Sequence, residues 1–251
     1  LPELPPDVLG DDTCPFCGDP NERLAGFLPA VVPSRTLGRG EALVFPNLYP
    51  YGSHSAVAIL TRAHHVSIEA FTVTQLADAL HLLVSYLQAV RRHSPSARYV
   101  NLTWNLLPPS GGTLVHPHFQ LNADAVAVNS LRETQAASLR YRAAHGQSYA
   151  TWLVAEERRR GVRFIADVGA SAWLVPFAPQ VPLEIWGLLP GFSRLTALPA
   201  GHLDDLARGL HCVLRAFATA GRNSLNMALV SDGEGPDEPT LCLRVAPRSP
   251  W

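Results

Sequence analysis

One arrangement limits this chain more than any other. A pattern of strand, strand, helix, strand, strand is spelled out once in its first half and again in its second. In the first copy, residues 42–45 and 55–61 read as strands of small and β-branched residues. Residues 73–92 follow, with Leu76, Leu80, Leu83, Leu87 and Val90 at helical spacing and Arg91 and Arg92 at the C-terminal end. Strands at 99–104 and 114–121 complete the unit. In the second copy, strands at 173–176 and 183–189, a helix at 203–219 and strands at 225–231 and 241–246 repeat the plan. Residues 126–161 lie between the copies. They are polar, Arg-rich and helical, with a break near Gly146. The expected fold class is therefore α+β, with two duplicated halves, mainly antiparallel sheet and flanking helices. The expected division is a first half at 1–125, a helical connector at 126–170 and a second half at 171–251. Residues 1–13, Pro-rich and acidic, read as an extended arm without a signal-peptide pattern.

Composition removes several classes of function. The chain has 251 residues, with 20 basic against 21 acidic side chains, so nothing marks it as a polyanion binder and no nucleic-acid partner is expected. All of its basic residues are arginines, which excludes a lysine nucleophile, a Schiff base and a P-loop lysine. No apolar run reaches the roughly 18 residues of a membrane span, so a membrane partner is not expected either. Four cysteines are too few for a disulfide scaffold at this length, which suggests a reducing, cytoplasmic setting. Cys212 and Cys242 lie in apolar segments and read as core thiols.

The other two cysteines form Cys14-Pro15-Phe16-Cys17, within a turn-rich knuckle at 14–22. Two thiolates at this spacing can grip one zinc, although a redox pair or a chance pair has the same spelling. There is no second CxxC, so two further ligands would be histidines. The clustered candidates are His64, His65, His116 and His118. On an extended backbone the adjacent imidazoles of His64 and His65 face opposite ways, so only one of them ligates.

His116-Pro117-His118-Phe119-Gln120 is the strongest chemical signal. On a strand, 116, 118 and 120 share a face. The plain alternative is three polar residues on a solvated edge strand, a position that tolerates Pro117. Ser110-Gly111-Gly112-Thr113 immediately precedes this segment and offers backbone N–H groups and a hydroxyl to a phosphate. His54, near the loop at 46–52, is a further candidate for the border of a site. Arg35 and Arg39 suit either phosphate contact or solvent. His81, His202 and His211 read as packing or surface residues, and Glu69 as a solvated helix-start residue.

Taken in order, these pieces resemble the galactose-1-phosphate uridylyltransferase branch of the histidine triad superfamily. Cys14 to Gly18 resembles its zinc knuckle, and Val44-Phe45-Pro46-Asn47 its nucleotide-contacting strand end. Residues 62–68 resemble the segment supplying the third zinc ligand, where His64 fits the spacing better than His65. Asn105, with His116 eleven residues on, and Pro117 to Gln120 resemble the catalytic segment. Trp173 to Phe177, Pro182-Leu183-Glu184 and Pro247-Arg248 resemble landmarks of the second half.

The resemblance implies a nucleotidyltransferase that moves a nucleoside monophosphate between a nucleotide sugar, or an NTP, and a phosphorylated acceptor such as a sugar 1-phosphate. His118 would be the nucleophile and Gln120 would hold the transferred phosphoryl group. Thr113 and the Gly111 and Gly112 backbone would meet its oxygens, with Asn105 near the α-phosphate and Asn47 at the nucleoside. The carbonyl of His116 would orient His118. A structural zinc would sit on Cys14, Cys17, His64 and His116, and the protein would be a homodimer. Phe119 stands where this branch has glycine, and would either fill space left by a smaller substrate or alter strand packing. Arg244-Val245-Ala246 stands where some members carry a second His-x-His, so a second metal site is not expected. The segment that reads the sugar in larger members has no counterpart before Trp251, so acceptor specificity is not carried over. Competing readings are a hydrolase or phosphorylase on the same scaffold, a noncatalytic zinc-stabilised nucleotide-binding protein and a CxxC redox protein. Hydrolases of the superfamily usually have a third histidine where Gln120 stands.

Overall fold

The computed structural model describes residues 14–18, 26–231 and 240–250. The arm at 1–13, part of the knuckle at 19–22 and Trp251 lie outside the described residues.

Among the described residues, ten strands form one antiparallel sheet. In chain order they are β1 (Leu37–Arg39), β2 (Ala42–Pro46), β3 (His54–Ile59), β4 (Tyr99–Leu106), β5 (His118–Asp124), β6 (Phe164–Val168), β7 (Ser171–Leu174), β8 (Ile185–Leu189), β9 (Leu225–Ser231) and β10 (Leu241–Pro247). Among the described residues four α-helices accompany them: α1 (Val73–His93), α2 (Asn129–His145), α3 (Tyr149–Arg160) and α4 (Ala200–Thr219). Among the described residues, no helix is long and apolar enough to cross a membrane.

The sheet order is β1-β2-β3-β5-β4-β9-β10-β8-β7-β6. The first half therefore runs 1-2-3-5-4 and the second 6-7-8-10-9, the same order counted from opposite edges. The two meet where β4 pairs antiparallel with β9, from Val100 with Ser231 to Leu106 with Leu225.

Alternation along each strand separates two chemical faces. Leu102 and Trp104 of β4, Phe119 and Leu121 of β5, Leu229 of β9 and Leu243 of β10 are fully or almost fully buried on one face. There they pack with Leu80, Leu83 and Leu87 of α1 and Leu206, Leu210 and Leu214 of α4 in one core spanning both halves. α1 starts where the sequence stops being extended. Thr72 Oγ1 accepts from the Gln75 backbone N–H and Gln75 Oε1 accepts from the Thr72 N–H, a reciprocal cap that satisfies two otherwise orphaned donors.

The opposite face differs between the halves. Over the second half, Leu153 and Val154 of α3 pack on Ala172, Leu174 and Leu188. Over the first half, Phe45, Val57 and Ile59 form only a small cluster, joined by Phe16. This less-covered face carries the polar residues of β4 and β5.

Several sequence expectations change here. Residues 114–117 precede β5 rather than belonging to it, and the Pro117 carbonyl accepts from the Leu60 N–H at 3.1 Å. β5 is central, between β3 and β4, so the solvated-edge alternative for the His-Pro-His segment fails. β1 and β6, the two outermost strands, were not expected; both are short and face solvent along much of their length. Cys212 is exposed on α4, not a core thiol, and Cys242 is half-buried.

Candidate active site and metal centre

The segment before β5, the knuckle and the chain after β3 converge. Cys17 Sγ lies 3.4 Å from Nδ1 of both His64 and His116, and Cys14 Sγ lies 3.8 Å from His116 Nδ1. The four donor atoms all fall within 4.8 Å of one another. A tetrahedral ion with Zn–S near 2.3 Å and Zn–N near 2.0–2.1 Å places sulfur and nitrogen ligands roughly 3.5 Å apart. The spacing and the two-thiol, two-imidazole donor set therefore fit such an ion. His65 is not in the cluster. His116 is fully buried and its Nε2–H donates to the Thr61 carbonyl at 2.9 Å, which fixes the ring with Nδ1 toward the sulfurs. Burial pushes the His116 imidazole down to about 4, against a smaller upward pull from the Thr61 carbonyl, so the ring is neutral at pH 7, as a metal ligand must be.

The same residue orients its neighbour through the backbone. His118 Nδ1–H donates to the His116 carbonyl at 2.7 Å, which leaves Nε2 with the lone pair. Burial lowers the affinity of His118 for a second proton, opposed by that hydrogen bond, and so favours the nucleophilic neutral ring near pH 7.

His118 lines a cavity of about 380 Å³ together with Gln120, Asn47 and Thr113. The remaining walls include Phe16, Phe45, Val57, Tyr49 and Tyr51. Gln120 is two residues along β5 from His118, so it shares its face. Asn47 is held at the end of β2: its N–H donates to the Ser55 carbonyl at 3.0 Å and its Oδ1 accepts from the Tyr49 N–H at 3.1 Å. Phe16, between the two cysteines of the knuckle, puts its ring 5.2 Å from that of His118 and 5.3 Å from that of Phe45. The sequence reading did not pick out Phe16; its position inside a metal-type loop was the available signal.

The other expected site residues are placed differently. The Gly111 N–H donates to Pro108 and the Gly112 N–H to the Leu107 carbonyl, so the turn itself uses both amides. Thr113 is what the loop contributes to the cavity wall. Gly112 has a steric role, because a Cβ there would lie 2.6 Å from the Asn105 carbonyl oxygen. Asn105 sits at the end of β4, and its Oδ1 accepts from Asn226 Nδ2 at 2.7 Å. That amide also donates to the Ser110 carbonyl, while Asn226 Oδ1 accepts from Arg248. Asn226 thus ties β9 to Asn105 of β4 and to the glycine loop.

Phe119 points away from the site. It is fully buried on the helix-covered face, with its ring 5.1 Å from that of Trp104, so it alters packing and fills no substrate space. His54 does not border the cavity and lies ring to ring with His93 at 6.4 Å. Arg39 is paired with Asp78 at 2.7 Å. His81 bridges α1 to Asp204 of α4 at 2.8 Å, and Glu69 is exposed. Arg244 donates to the buried carboxylate of Glu184, which also accepts from Trp186 Nε1 at 2.9 Å.

No protein-family model matches the sequence. An uncharacterized protein from Archaeoglobus fulgidus is 27% identical over 240 residues, covering 95% of this chain and 71% of that protein. The crystal structure of an ADP-glucose phosphorylase from Arabidopsis thaliana, with ADP-glucose bound, matches with a TM-score of 0.79 at 18% identity, over 96% of this chain and 83% of that one. A uridylyltransferase structure also matches with a TM-score of 0.79, at 21% identity, over 100% of this chain and 82% of that one. The chain therefore shares its mixed α+β fold with a uridylyltransferase and an ADP-glucose phosphorylase, the fold implied by its resemblance to the galactose-1-phosphate uridylyltransferase branch of the histidine triad superfamily.

Proposed function

We propose that this protein is a nucleotidyltransferase. It moves a nucleoside monophosphate between a nucleotide sugar and a phosphorylated acceptor such as a sugar 1-phosphate, through a nucleotidyl-His118 intermediate. The observation that carries this reading is His118 itself, with Nδ1 committed to the His116 carbonyl and the ring on the wall of a cavity that also holds Asn47, Thr113 and Gln120. The folds of a uridylyltransferase and an ADP-glucose phosphorylase support the same class.

In the first step His118 Nε2 attacks the α-phosphorus. A P–N bond forms, the bond from that phosphorus to the bridging oxygen breaks, and the sugar phosphate leaves. In the second step an oxygen of the acceptor phosphate attacks the same phosphorus and the imidazole leaves with its electron pair. Gln120 and Thr113 hydrogen-bond the phosphoryl oxygens in both steps. Asn47 and the ring of Phe45 hold the nucleoside, and Asn105 keeps the glycine loop at the correct distance. A phosphorylase shares the first step and differs only in taking inorganic phosphate as acceptor.

Zinc is the metal we assign to Cys14, Cys17, His64 and His116. Bound there, it stiffens the chain leading into β5 and touches no substrate. A homodimer in the cytoplasm completes the reading.

Intact-mass spectrometry after incubation with UDP-glucose, ADP-glucose and GDP-glucose tests the intermediate. The expected result is a gain of one nucleoside monophosphate on the wild type, lost in His118→Ala. Adding glucose 1-phosphate or inorganic phosphate to the labelled protein then identifies the acceptor by which one discharges it. Absence of an adduct with every donor, on zinc-loaded protein, overturns the covalent mechanism.

A further inference from the structure

Three cavities follow one another along the sheet face that carries His118. The first, of about 380 Å³, is the one walled by His118 and Gln120. A second, of about 300 Å³, shares Tyr51 with it and is lined by Asn101 and Asn122 among others. The third, of about 200 Å³, shares Leu131 and Val230 with the second and belongs to the other half of the chain. Its floor is formed by β8, β9 and β10, the counterparts of β3, β4 and β5, and its roof by α2 and the first turns of α3.

The roof departs from what a helix laid on a sheet ordinarily does, which is to turn an apolar stripe inward. Of the 17 residues of α2 only Leu131 is buried, and the residues it presents to the cavity at every fourth position are Ser130, Thr134 and Ser138. Opposite them the floor is hydrocarbon: Leu188 of β8 with Ala228 and Val230 of β9. Tyr149 adds an aromatic wall, its ring braced by those of Tyr141 at 5.1 Å and Trp152 at 5.7 Å. Packing alone would favour leucines where the three hydroxyls stand. The gap therefore has an apolar floor and a row of groups that both donate and accept.

No side chain of this lining is suited to covalent chemistry. Where β5 presents His118 and Gln120, β10 presents Thr240, Cys242 and Arg244. Burial pushes the Cys242 thiol up to about 12, so it stays protonated and is a poor nucleophile. Arg244 donates to Glu184 and lies over the Trp186 ring at 5.4 Å, so its charge is already matched. A cavity of about 150 Å³ takes benzene and drug-sized ligands need about 300 Å³ or more. At about 200 Å³ the third cavity suits one ring or two fused rings. A plain hydrocarbon would leave the hydroxyls without partners. A sugar would press its own hydroxyls onto Leu188, Ala228 and Val230, and an anion would compete with Glu184 for Arg244. A flat heteroaromatic ring, with apolar faces and an edge of alternating donors and acceptors, satisfies floor and roof together.

We propose that the cavity between α2 and β8–β10 is a second, non-reacting site that binds a nucleobase, free or as part of a nucleoside, with its edge on the Ser130, Thr134 and Ser138 hydroxyls and its face on the Leu188, Ala228 and Val230 floor. The site draws on no step of the transfer at His118 and stands or falls separately from it.

Methyl NMR spectra of zinc-loaded protein, labelled at leucine and valine, read the two sites apart. Leu153 and Leu188 report the third cavity and Val57 the first. The titrants are adenosine, guanosine, cytidine and uridine, with indole as a flat bicyclic ring whose edge has one donor and no acceptor. The expected result is a saturable shift of Leu153 and Leu188 with at least one nucleoside, abolished by Ala228→Phe, which fills the floor. Ser130→Ala and Ser138→Ala, placed on the accessible side of α2 where the fold does not depend on them, should each weaken that binding about threefold or more, the loss of one neutral hydrogen bond. Shifts confined to Val57, no saturation at millimolar nucleoside, indole binding as tightly as the best nucleoside, or full affinity in both serine variants would each overturn the site. Saturable shifts of Leu188 in a protein that forms no adduct at His118 would overturn the transfer mechanism and leave this site standing.

Discussion

His116 divides its work between side chain and backbone. Its ring faces the two cysteine sulfurs and its carbonyl holds Nδ1 of His118, so two functions meet within one residue. Cys17→Ser should lower bound zinc from about one per chain, measured by elemental analysis, and lower the melting temperature with it. Phe119 belongs to the opposite face. Phe119→Ala should cost about 3–5 kcal/mol in urea denaturation by opening a cavity against Trp104, with the adduct rate of the folded protein unchanged. A fall in adduct rate with little loss of stability would return Phe119 to the substrate side. Gly112→Ala forces a methyl against the Asn105 carbonyl and should destabilise by about 1–3 kcal/mol, again by urea denaturation. At this scale the sequence was most legible where spacing and chemistry coincide. Cys14, Cys17 and His116 declare themselves, and chain geometry then chooses His64 over His65. The amides of Gly111 and Gly112 were not legible, because their partners, the carbonyls of Pro108 and Leu107, are set by the turn and not by any side chain.

At the scale of elements, Arg244 of β10 is joined to Glu184, the residue before β8, by a part-buried ion pair whose carboxylate is the buried partner. Burial would raise the carboxyl pKa of Glu184, but hydrogen bonds from Trp186, the Gln180 N–H and Arg244 outweigh it, and the group is held below its ordinary value of 4.5. A depressed carboxyl pKa stabilises the fold above pH 4.5, and that contribution is lost as pH falls below it. Arg244→Met leaves Glu184 buried beside no cation and should cost about 3–5 kcal/mol at pH 7. The sign then reverses, since an unpaired buried carboxylate prefers its proton, and this variant should gain stability as the pH is lowered from 7 to 5. Thermal denaturation across that range checks both claims. Elements were legible in proportion to their periodicity. The apolar repeat of α1 locates the helix within one residue of its end. β5 begins four residues later than its pattern suggests, because residues 114–117 are apolar enough for a strand but bring His116 to the cysteine–histidine cluster and bond Leu60 instead. Asn101 and Asn122 alternate with buried residues and so look solvent-facing in the sequence; only the strand order turns them into a cavity wall.

Across the whole molecule, the β4–β9 pairing and the shared helix-side core make the two halves one cooperative body. Residues 1–125 expressed alone should fail to give dispersed amide proton resonances in NMR spectra, because the cut bares β4 as an open edge and uncovers the face of α1 that packs on α4. A well-dispersed spectrum from that fragment would show that the first half folds alone. The repeat of strand order was legible from the two copies of the pattern. Their joining into one sheet was not, because hydrogen bonding between β4 and β9 leaves no periodic mark in either. An antiparallel seam between two units of the same strand order is the contact that a two-fold axis makes between identical copies. Covalent linkage of the copies releases them from having to remain alike. Here one half keeps an open face with His118 on it, while the other spends the matching face on the helix pair α2 and α3. Away from Asn226 and Arg248, which hold the glycine loop, and from the cavity beneath α2, substitutions in the second half answer to packing, and drift there should run faster than along β5 for as long as the seam holds.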